Sequence, residues 1–425
     1  MIEKVSLFST KREFFIFLFL SLFIFSYTLL IEYNNYKNLT KFDSQLTQAT
    51  ILKQYTKTKL TKKGKTKNYQ VLKLKSDKGL SFYTTTKKSF PESIGKEIKL
   101  EIWAGKISFY EYMTSFFVFS KIIQVLEEPS LKYKVNFHLS SIHQNTNIAS
   151  IYQALYTASP LDKELQNKFS TLGISHLFAI SGFHLGVLST LLFFLFKTPY
   201  TFFQNRYFPY RSYKIDSFIV ISSVLLTYLL FLDSPPSLLR AFVMLVIGFF
   251  LYDRAYKIVS MWTLFLTVVL ILAFTPRFIF ALGFWLSVSG VFYIFLFLIH
   301  FKQLHKAWQF ILVPFWVYIM MLPLSLYIFE NFSLLHPLSI VWTFLFTFFY
   351  PISIFLHLIS FGNILDNYLI SMLSVKVDAQ TICLSWQIIS SFIILSFLSI
   401  YKKFFVYLLL SFSFSIFIYA IYNVT

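Results

Sequence analysis

The chain has 425 residues, of which 56% are hydrophobic and 21% aromatic, and it carries 38 Lys and Arg against 19 Asp and Glu. Apolar runs of about 17 or more residues recur along it, which excludes a soluble globular protein and indicates membrane-spanning helices. The single cysteine, Cys383, excludes an intrachain disulfide and a cluster of thiolate ligands for structural zinc or iron–sulfur.

The first 130 residues contain an apolar segment followed by a basic segment of short alternating runs. Residues 1–32 predict a retained membrane anchor, because the apolar run Phe14–Ile31 follows basic residues and lacks a small-residue cleavage site. Residues 33–130 hold 18 Lys against 8 Asp and Glu, a net charge of +10, and alternate apolar with polar residues in short runs. We predict here a small all-β domain of about five strands, a barrel of the OB type. Its charge suits an anionic partner, either nucleic acid or phospholipid head groups.

Within this domain, the lysine-rich segment Thr56–Lys67 indicates the mobile tip of a hairpin. Its Gly64-Lys65-Thr66 resembles the end of a phosphate-binding loop, but Lys59 stands where that motif needs glycine. The setting is also not a strand followed by a helix. We therefore reject a nucleotide site at this segment.

Residues 131–172 predict an amphipathic helical linker. Apolar residues recur there at roughly helical spacing on both sides of Pro160, and charged residues make the second half too polar to span a bilayer. We expect this linker to lie on the membrane surface or against the bundle of spans.

Residues 173–425 predict a multi-spanning domain, which with the anchor gives about ten spans. The predicted spans are Gly173–Phe196, Phe218–Leu232, Ser237–Tyr252, Val259–Phe274, Phe278–Ile299, Trp308–Phe329, Leu335–Ser360, Ile382–Ile400 and Phe404–Ile421. Basic residues collect in alternate loops, so the positive-inside rule places the N-terminus in the cytoplasm. The β domain is then expected on the extracytoplasmic side.

One predicted span opens with an unusual stretch of polar residues, His176 to Gly186, which reads HLFAISGFHLG. Ionisable residues inside spans are candidates for function. Ser181 and His184 are three residues apart and would share one face of a helix, which suggests nucleophilic catalysis, but helical neighbours at this spacing seldom supply a base and an oxyanion hole. Two further interpretations stay open: zinc binding by His176 and His184 with ligands from elsewhere, or close helix packing with hydrogen bonds across the bundle.

Arg240 follows Pro235 and Pro236 near the start of another span. Its side chain either extends to the outer membrane interface or lines an aqueous path for an anionic polymer. In the second case, burial would require a partner such as Asp233 or a substrate phosphate.

Four ordered motifs together resemble the ComEC family of bacterial inner-membrane competence proteins. They are HLFAISGFHLG (176–186), SPPSLLRAFVM (234–244), TPRFIFALGFWLSVSG (275–290) and LPLSLYIFENFSLLHPL (322–338). The chain departs from the family pattern at Thr275, Trp285 and Val288, which puts only details of that helix in doubt. No H-x-H-x-D-H zinc cluster occurs, so the resemblance is to a short form without the metallo-β-lactamase-like domain, and it implies no nuclease activity.

The resemblance implies a conduit that carries single-stranded DNA across the cytoplasmic membrane in natural transformation, with no enzymatic step and no metal or other cofactor. The candidate channel and gating residues are His176, Ser181, Gly182, His184, Arg240, Asp233, Ser287 and Pro323. The candidate DNA-binding residues of the β domain are Lys57, Lys59, Lys62, Lys63, Lys65, Lys67, Tyr83 and Trp103. Phe82 is assigned to the core rather than to this set.

Two alternatives belong to other classes: an intramembrane serine hydrolase and a secondary transporter of a small anion. The implied partners of the conduit are single-stranded DNA, the lipid bilayer, a periplasmic DNA receptor, a separate nuclease, a cytoplasmic ATP-driven or single-strand-binding protein, and further copies of the chain. No ATPase motif is present, so the sequence assigns the motor to another protein or to the proton gradient.

Overall fold

The computed structural model describes residues 8, 10–60, 66–77, 79–91, 93–126, 130–375, 378 and 380–424. The chain divides into two compact units. The β unit comprises Leu18–Pro160 and Leu272–Ala281, and the helical unit comprises Met1–Phe17, Leu161–Ile271 and Leu282–Thr425.

The first helix, α1, runs without a break over Lys11–Thr40, so it continues beyond the predicted anchor at residues 1–32. At 1.5 Å per residue it is about 45 Å long, which exceeds the ~30 Å hydrocarbon thickness of a bilayer. Its C-terminal end is part of the β unit, since Leu39 is buried in the hydrophobic core around the sheet.

The β unit contains one sheet of six strands, where the sequence predicted about five. The strands are β1 (Gln45–Leu60), β2 (Thr66–Ser76), β3 (Ser81–Lys87), β4 (Glu97–Trp103), β5 (Phe116–Phe117) and β6 (Phe119–Val125). Their order is β5-β3-β2-β1-β4-β6, with β5 parallel to β3 and the other pairs antiparallel. The unit is not entirely β, because α2 (Phe109–Met113) precedes β5, and α3 (Leu131–Ile142) and α4 (Thr146–Thr157) follow β6.

A single residue, Val118, separates β5 from β6. Its backbone N–H donates to the Tyr83 carbonyl of β3 at 2.9 Å, and the hydroxyls of Thr84 and Ser120 lie 2.6 Å apart. One stretch of chain therefore borders β3 at its start and β4 at its end, which joins the two ends of the sheet. Alternate residues of β3 and β4 face the core, where Phe82 is buried as expected.

The hairpin of β1 and β2 extends further than predicted. Instead of a mobile tip beginning at Thr56, the two strands stay paired as far as Leu60 and Thr66, because the alternating Thr and Lys residues of both arms fit an extended ladder. Residues 61–65, which include Lys62, Lys63 and Lys65, lie outside the described residues.

Two helices lie on either side of Pro160, as the linker pattern predicted: α4 in the β unit and α5 (Lys163–Thr171) in the helical unit. Each buries the apolar residues that recur at helical spacing. These residues are Ile148, Ile151 and Leu155 in α4 and Leu165 and Phe169 in α5. Their position on a membrane surface stays a prediction.

The helical unit contains most of the apolar helices. Its remaining helices are α6 (Ser175–Phe178), α7 (Gly182–Tyr207), α8 (Tyr213–Phe231), α9 (Pro236–Asp253), α10 (Met261–Phe274), α11 (Leu282–His300), α12 (Lys306–Phe329), α13 (Ser339–Leu358), α14 (Asp366–Ser374), α15 (Trp386–Leu398) and α16 (Lys403–Tyr422). Two short strands, β7 (Asn331–Phe332) and β8 (Gln380–Thr381), pair with each other.

Eight of the described helices are long and apolar enough to cross a membrane, which supports the predicted polytopic architecture but not the count of ten. The two differences are α10, with 14 residues, and α15, with 13. At 1.5 Å per residue both are about 20 Å long, shorter than the ~30 Å hydrocarbon layer.

Two predicted spans also begin later than expected. The run from Phe278 starts in a 3-10 turn, Pro276–Phe280, and the run from Leu335 starts in another, His336–Leu338. Each turn has a proline in its first two positions, where the missing N–H costs nothing, and a regular helix follows.

Candidate channel site in the helical unit and exposed aromatic strip in the β unit

The predicted helix from Gly173 to Phe196 is broken. The short helix α6 ends at Phe178, the backbone of Ser181 is extended, and α7 begins at Gly182. His176 therefore lies on a different helix from His184, not two turns earlier on the same one. The cause is local: Ser181 and Gly182 have low helix propensity, and serine is strongly preferred as an N-cap.

Ser181 and His184 do come together, but as a helix cap. The Nδ1 atom of His184 accepts the backbone N–H of Ser181 at 3.1 Å, and the Ser181 Oγ lies 3.0 Å from the same nitrogen. This is the arrangement of a capping box, in which glutamate or glutamine more often occupies the third helical position. The ring thus stabilises the first turn of α7.

The imidazole of His184 is almost fully buried, with 1% of the residue exposed. Its ring packs edge-on against Tyr350 and Phe346 of α13, at centroid distances of 4.6 and 5.5 Å. The Nε2 atom has no hydrogen-bond partner among the described residues. The contacts of the His184 ring therefore link α7 to α13, while its Nε2 atom lacks a hydrogen bond.

Arg240 is buried inside the bundle, with 5% of the residue exposed, and so does not extend to an outer interface. Its Nε donates to Ser287 Oγ of α11 at 3.0 Å, and its Nη1 lies 3.3 Å from Met244 Sδ. Among the residues that the structure describes, no carboxylate lies within ion-pair distance of it. A guanidinium held by a hydroxyl and a thioether keeps an uncompensated positive charge.

Gly182 gives this guanidinium its space. A Cβ at residue 182 would lie 2.9 Å from Arg240 Nη2 and 3.0 Å from the Ala241 Cβ. Next to it, Ser237 Oγ donates to the Ile180 carbonyl at 2.9 Å, so the break between α6 and α7 is fastened directly to α9. The N-terminus of α7, with its positive dipole end, therefore lies beside the Arg240 side chain.

The other predicted channel residues are Asp233, Pro323 and His176. Asp233 is exposed in the loop between α8 and α9, in the left-handed region at φ 65°, and is not the partner of Arg240. Pro323 is buried within α12. His176 is exposed on α6, where its Nε2 lies 3.4 Å from Thr343 Oγ1.

A second histidine contact was missed by the sequence argument. His336 is buried, and its Nδ1 lies 3.1 Å from the Tyr318 hydroxyl. Gly173 adopts φ +71°, and a Cβ there would lie 2.7 Å from the His336 ring. The available signal was the glycine before the HLFAISGFHLG stretch, because a positive φ and a close approach both require glycine. No group of three or more His, Cys, Asp or Glu in the described part of the chain is placed to hold a metal ion.

In the β unit, the two aromatic candidates belong to one exposed strip, which we define as Tyr83, Trp103, Phe117 and Phe119. Phe117 pairs with Tyr83, and Phe119 pairs with Trp103. Trp103, Phe117 and Phe119 are exposed by 42%, 49% and 70%, and Tyr83 is half-buried. Sequence reasoning missed both phenylalanines, although alternation with the buried Phe116 and Val118 points them outward.

Basic residues lie beside this aromatic strip. The Lys73 ammonium is 5.7 Å from the Tyr83 ring centre, and Lys73 faces Lys53 across the β1–β2 ladder. Lys57 is exposed opposite Tyr69, and Lys59 and Lys67 occupy facing positions of the same ladder. Lys53 and Lys73 are like charges at facing positions, which destabilise a sheet by themselves.

We predict that Gly182→Ala impairs the site and that Gly186→Ala does not. Both glycines lie in α7, where alanine is intrinsically favoured by about 1 kcal/mol, but only the first substitution collides with Arg240, since nothing lies within 4 Å of a Cβ at Gly186. Thermal unfolding of the purified proteins in detergent is the measurement. Equal melting temperatures for the two variants would contradict the close approach.

Comparison with known proteins gives one family. A family model described as "Competence protein" matches residues 157–424, which is more than half of the chain and includes every residue of the site in the helical unit. No curated protein and no solved structure matches the chain.

Proposed function

Because this chain belongs to the competence protein family, as the resemblance to ComEC-type proteins predicted, we propose that its helical unit conducts single-stranded DNA across the cytoplasmic membrane. Membership of the family assigns the protein to DNA uptake in transformation, and the eight long apolar helices make it a multi-pass membrane protein. The conduit is our proposal. The observation that supports it is the positive charge of Arg240, which meets no carboxylate among the described residues.

A buried arginine is costly in a membrane, about 2.5–3.5 kcal/mol at a helix centre on insertion scales. Arg240 recovers little of this cost from Ser287 and Met244, both neutral. A passing DNA strand supplies one phosphate charge per nucleotide, so successive phosphates can serve as the missing counter-charge. Each phosphate can leave Arg240 quickly, because no carboxylate of the described residues holds the guanidinium and the phosphate partner changes as the strand moves. Conduction requires such weak, exchanging contacts.

We expect Arg240→Gln to stop DNA entry into the cytoplasm while periplasmic DNA accumulates normally. Glutamine keeps a hydrogen-bond donor for Ser287 but removes the charge. The measurement is fluorescent DNA scored separately in the two compartments, with membrane abundance of the protein confirmed. Arg254→Gln, at the exposed C-terminal end of the same helix, is the matched control and should behave as wild type. Wild-type entry with Arg240→Gln would refute the proposal.

The β unit is proposed to receive the strand on the extracytoplasmic side, as a barrel of the OB type. The support is the joining of β3 and β4 by one stretch of chain, together with the exposed aromatic strip beside lysines. Bases of any sequence can stack on such a strip, which suits uptake without sequence preference. Lysines along the β1–β2 hairpin would add salt-dependent attraction to phosphates.

Removal of an aromatic side chain from the strip should weaken binding of single strands. Each base stacked on an aromatic ring contributes about 1–3 kcal/mol, so Phe119→Ala should raise the dissociation constant by roughly fivefold or more. The assay is titration of labelled oligothymidine with the full-length protein in detergent at several salt concentrations. Phe137→Ala removes an equally exposed phenylalanine of α3 outside the strip and is the control. Identical affinities for the two variants would exclude the strip.

An intramembrane serine hydrolase is the second candidate, because Ser181 Oγ lies 3.0 Å from a ring nitrogen of His184. The same nitrogen already accepts the Ser181 N–H, and Nε2 meets no orienting carboxylate among the described residues. We therefore propose a conduit without bond chemistry. A fluorophosphonate probe should leave Ser181 unlabelled in the purified protein, whereas labelling that Ser181→Ala abolishes would establish the hydrolase.

The proposed partners follow from what the conduit itself does not supply. A periplasmic DNA receptor, a separate nuclease and a cytoplasmic ATP-driven or single-strand-binding protein would deliver, trim and pull the strand. We also include further copies of the chain among the proposed partners. These partners stay proposals.

A further inference from the structure

The β unit contains a cavity of about 440 Å³ that DNA conduction does not use. Its polar lining comes from three parts of the chain: the end of α1, the sheet with α2, and the segment Leu272–Ala281. The polar residues are Glu32, Asn35, Asn38, Gln45, Tyr112, Thr275 and Arg277.

An ion pair forms one wall of this cavity. Arg277 Nη2 lies 2.7 Å from Glu32 Oε2, and the Tyr112 hydroxyl donates to the same oxygen at 3.1 Å. The guanidinium also lies 4.7 Å from the centre of the Tyr112 ring. Burial raises the pKa of Tyr112 to about 12, so its hydroxyl stays a neutral donor at physiological pH.

This arrangement leaves one acceptor and several donors unused. Both contacts to Glu32 go to Oε2, and no described residue bonds to Oε1. Arg277 has five N–H donors. Among the described residues its one hydrogen bond runs from Nη2 to Glu32, and its buried Nε has no partner there. Of these atoms, Arg277 Nε is the buried one. Buried polar atoms without partners are uncommon in native proteins and call for an explanation such as a ligand.

The chain fixes the depth of the cavity relative to a bilayer. Glu32 directly follows the apolar run of α1 that ends at Ile31, and Arg277 lies three residues after Phe274, the last residue of the apolar helix α10. Two hydrophobic helices thus end where the cavity begins, at the level of phospholipid head groups.

We propose that this cavity binds the phosphoethanolamine head group of a membrane phospholipid. The free donors of Arg277 face the phosphate, and Glu32 Oε1 with the side-chain oxygens of Asn35 and Asn38 accept from the ammonium. Leu39, Leu80, Phe274 and Phe278 complete the lining and cover the glycerol and the first acyl carbons.

The charges of the lining favour this zwitterionic head group over an anion. Arg277 and Glu32 cancel, so a polyanion such as DNA or an anionic lipid gains nothing overall from the cavity, whereas a zwitterion satisfies both charges. Choline carries the same charge as ethanolamine but has no N–H to donate to Glu32 or to the amides. Ethanolamine therefore fits better than choline.

The test uses the delipidated full-length protein in detergent and native mass spectrometry with dioleoyl phosphatidylethanolamine, phosphatidylcholine or phosphatidylglycerol. One phosphatidylethanolamine should bind about tenfold more tightly than either other lipid, the difference expected from one charge-assisted hydrogen bond. Because the lining also covers the first acyl carbons, soluble phosphoethanolamine in millimolar excess should displace the bound lipid only weakly. Displacement by phosphoethanolamine and by inorganic phosphate alike would assign the cavity to a free phosphate and overturn the proposal.

Two variants separate binding from folding. Glu32→Gln removes the charge that accepts the ammonium, and Asn38→Leu fills the cavity while leaving the ion pair and the Asn38 carbonyl that accepts from Gln45 Nε2. Both should lose the preference for phosphatidylethanolamine at unchanged protease resistance, and Glu13→Gln, near the other end of α1, should keep it. Equal binding of all three lipids by the wild type, an unchanged preference in Asn38→Leu, or competition by oligothymidine alone would overturn the proposal. These measurements involve no DNA transport, so their outcome does not depend on whether the proposed conduit is correct.

Discussion

The helical unit depends on one constraint: the buried positive charge of Arg240 meets no carboxylate among the residues that the structure describes. Hydrocarbon cannot solvate a guanidinium, so the bundle must supply oxygen and sulfur atoms in fixed positions around Arg240. The positive dipole end of α7 beside Arg240 adds to the demand for negative charge. Ser287 and Met244 supply only part of this need. The remaining demand for negative charge gives a strand of phosphates something to interact with inside an otherwise apolar bundle.

The interruption of the helix at residues 179–181 fastens the backbone beside this charge to α9. An uninterrupted helix through this region would leave no carbonyl free at Ile180 for Ser237. The cap made by Ser181 and His184 makes the interruption stable, and the missing side chain of Gly182 makes it compatible with the guanidinium. Polar residues that resemble a catalytic pair thus serve to shape the backbone around a charge.

Much of the architecture was predictable because membranes and sheets impose strong periodicities. Long apolar runs identified the helices, and the alternation around Leu72, Leu74, Ile98 and Leu100 identified the strands and their core face. Arg240 and Ser287 were both among the predicted channel residues, but their direct hydrogen bond depends on how α9 packs against α11 and cannot be read from spacing.

What the sequence could not give were contacts between distant segments. Asp233 is near Arg240 in sequence, and it was a reasonable partner until the left-handed turn placed it outside the bundle. Phe117 and Phe119 join the aromatic strip because β5 pairs with β3 and β6 pairs with β4, and this pairing cannot be read from the sequence. The break after Phe178 was hidden because its residues are apolar enough to continue a helix, and the cap that stops them uses histidine in place of the usual glutamate.

The composition of the β unit has a consequence for biosynthesis. Its sheet is complete once Val125 has been made, but the unit also contains Leu272–Ala281, with the Arg277 that pairs with Glu32. Nearly 150 residues, and the helices they form, must be synthesised and inserted before that segment emerges. The β unit therefore reaches its final form late, after α7 to α9 have been made. Completion of the β unit thus depends on synthesis of this part of the helical unit.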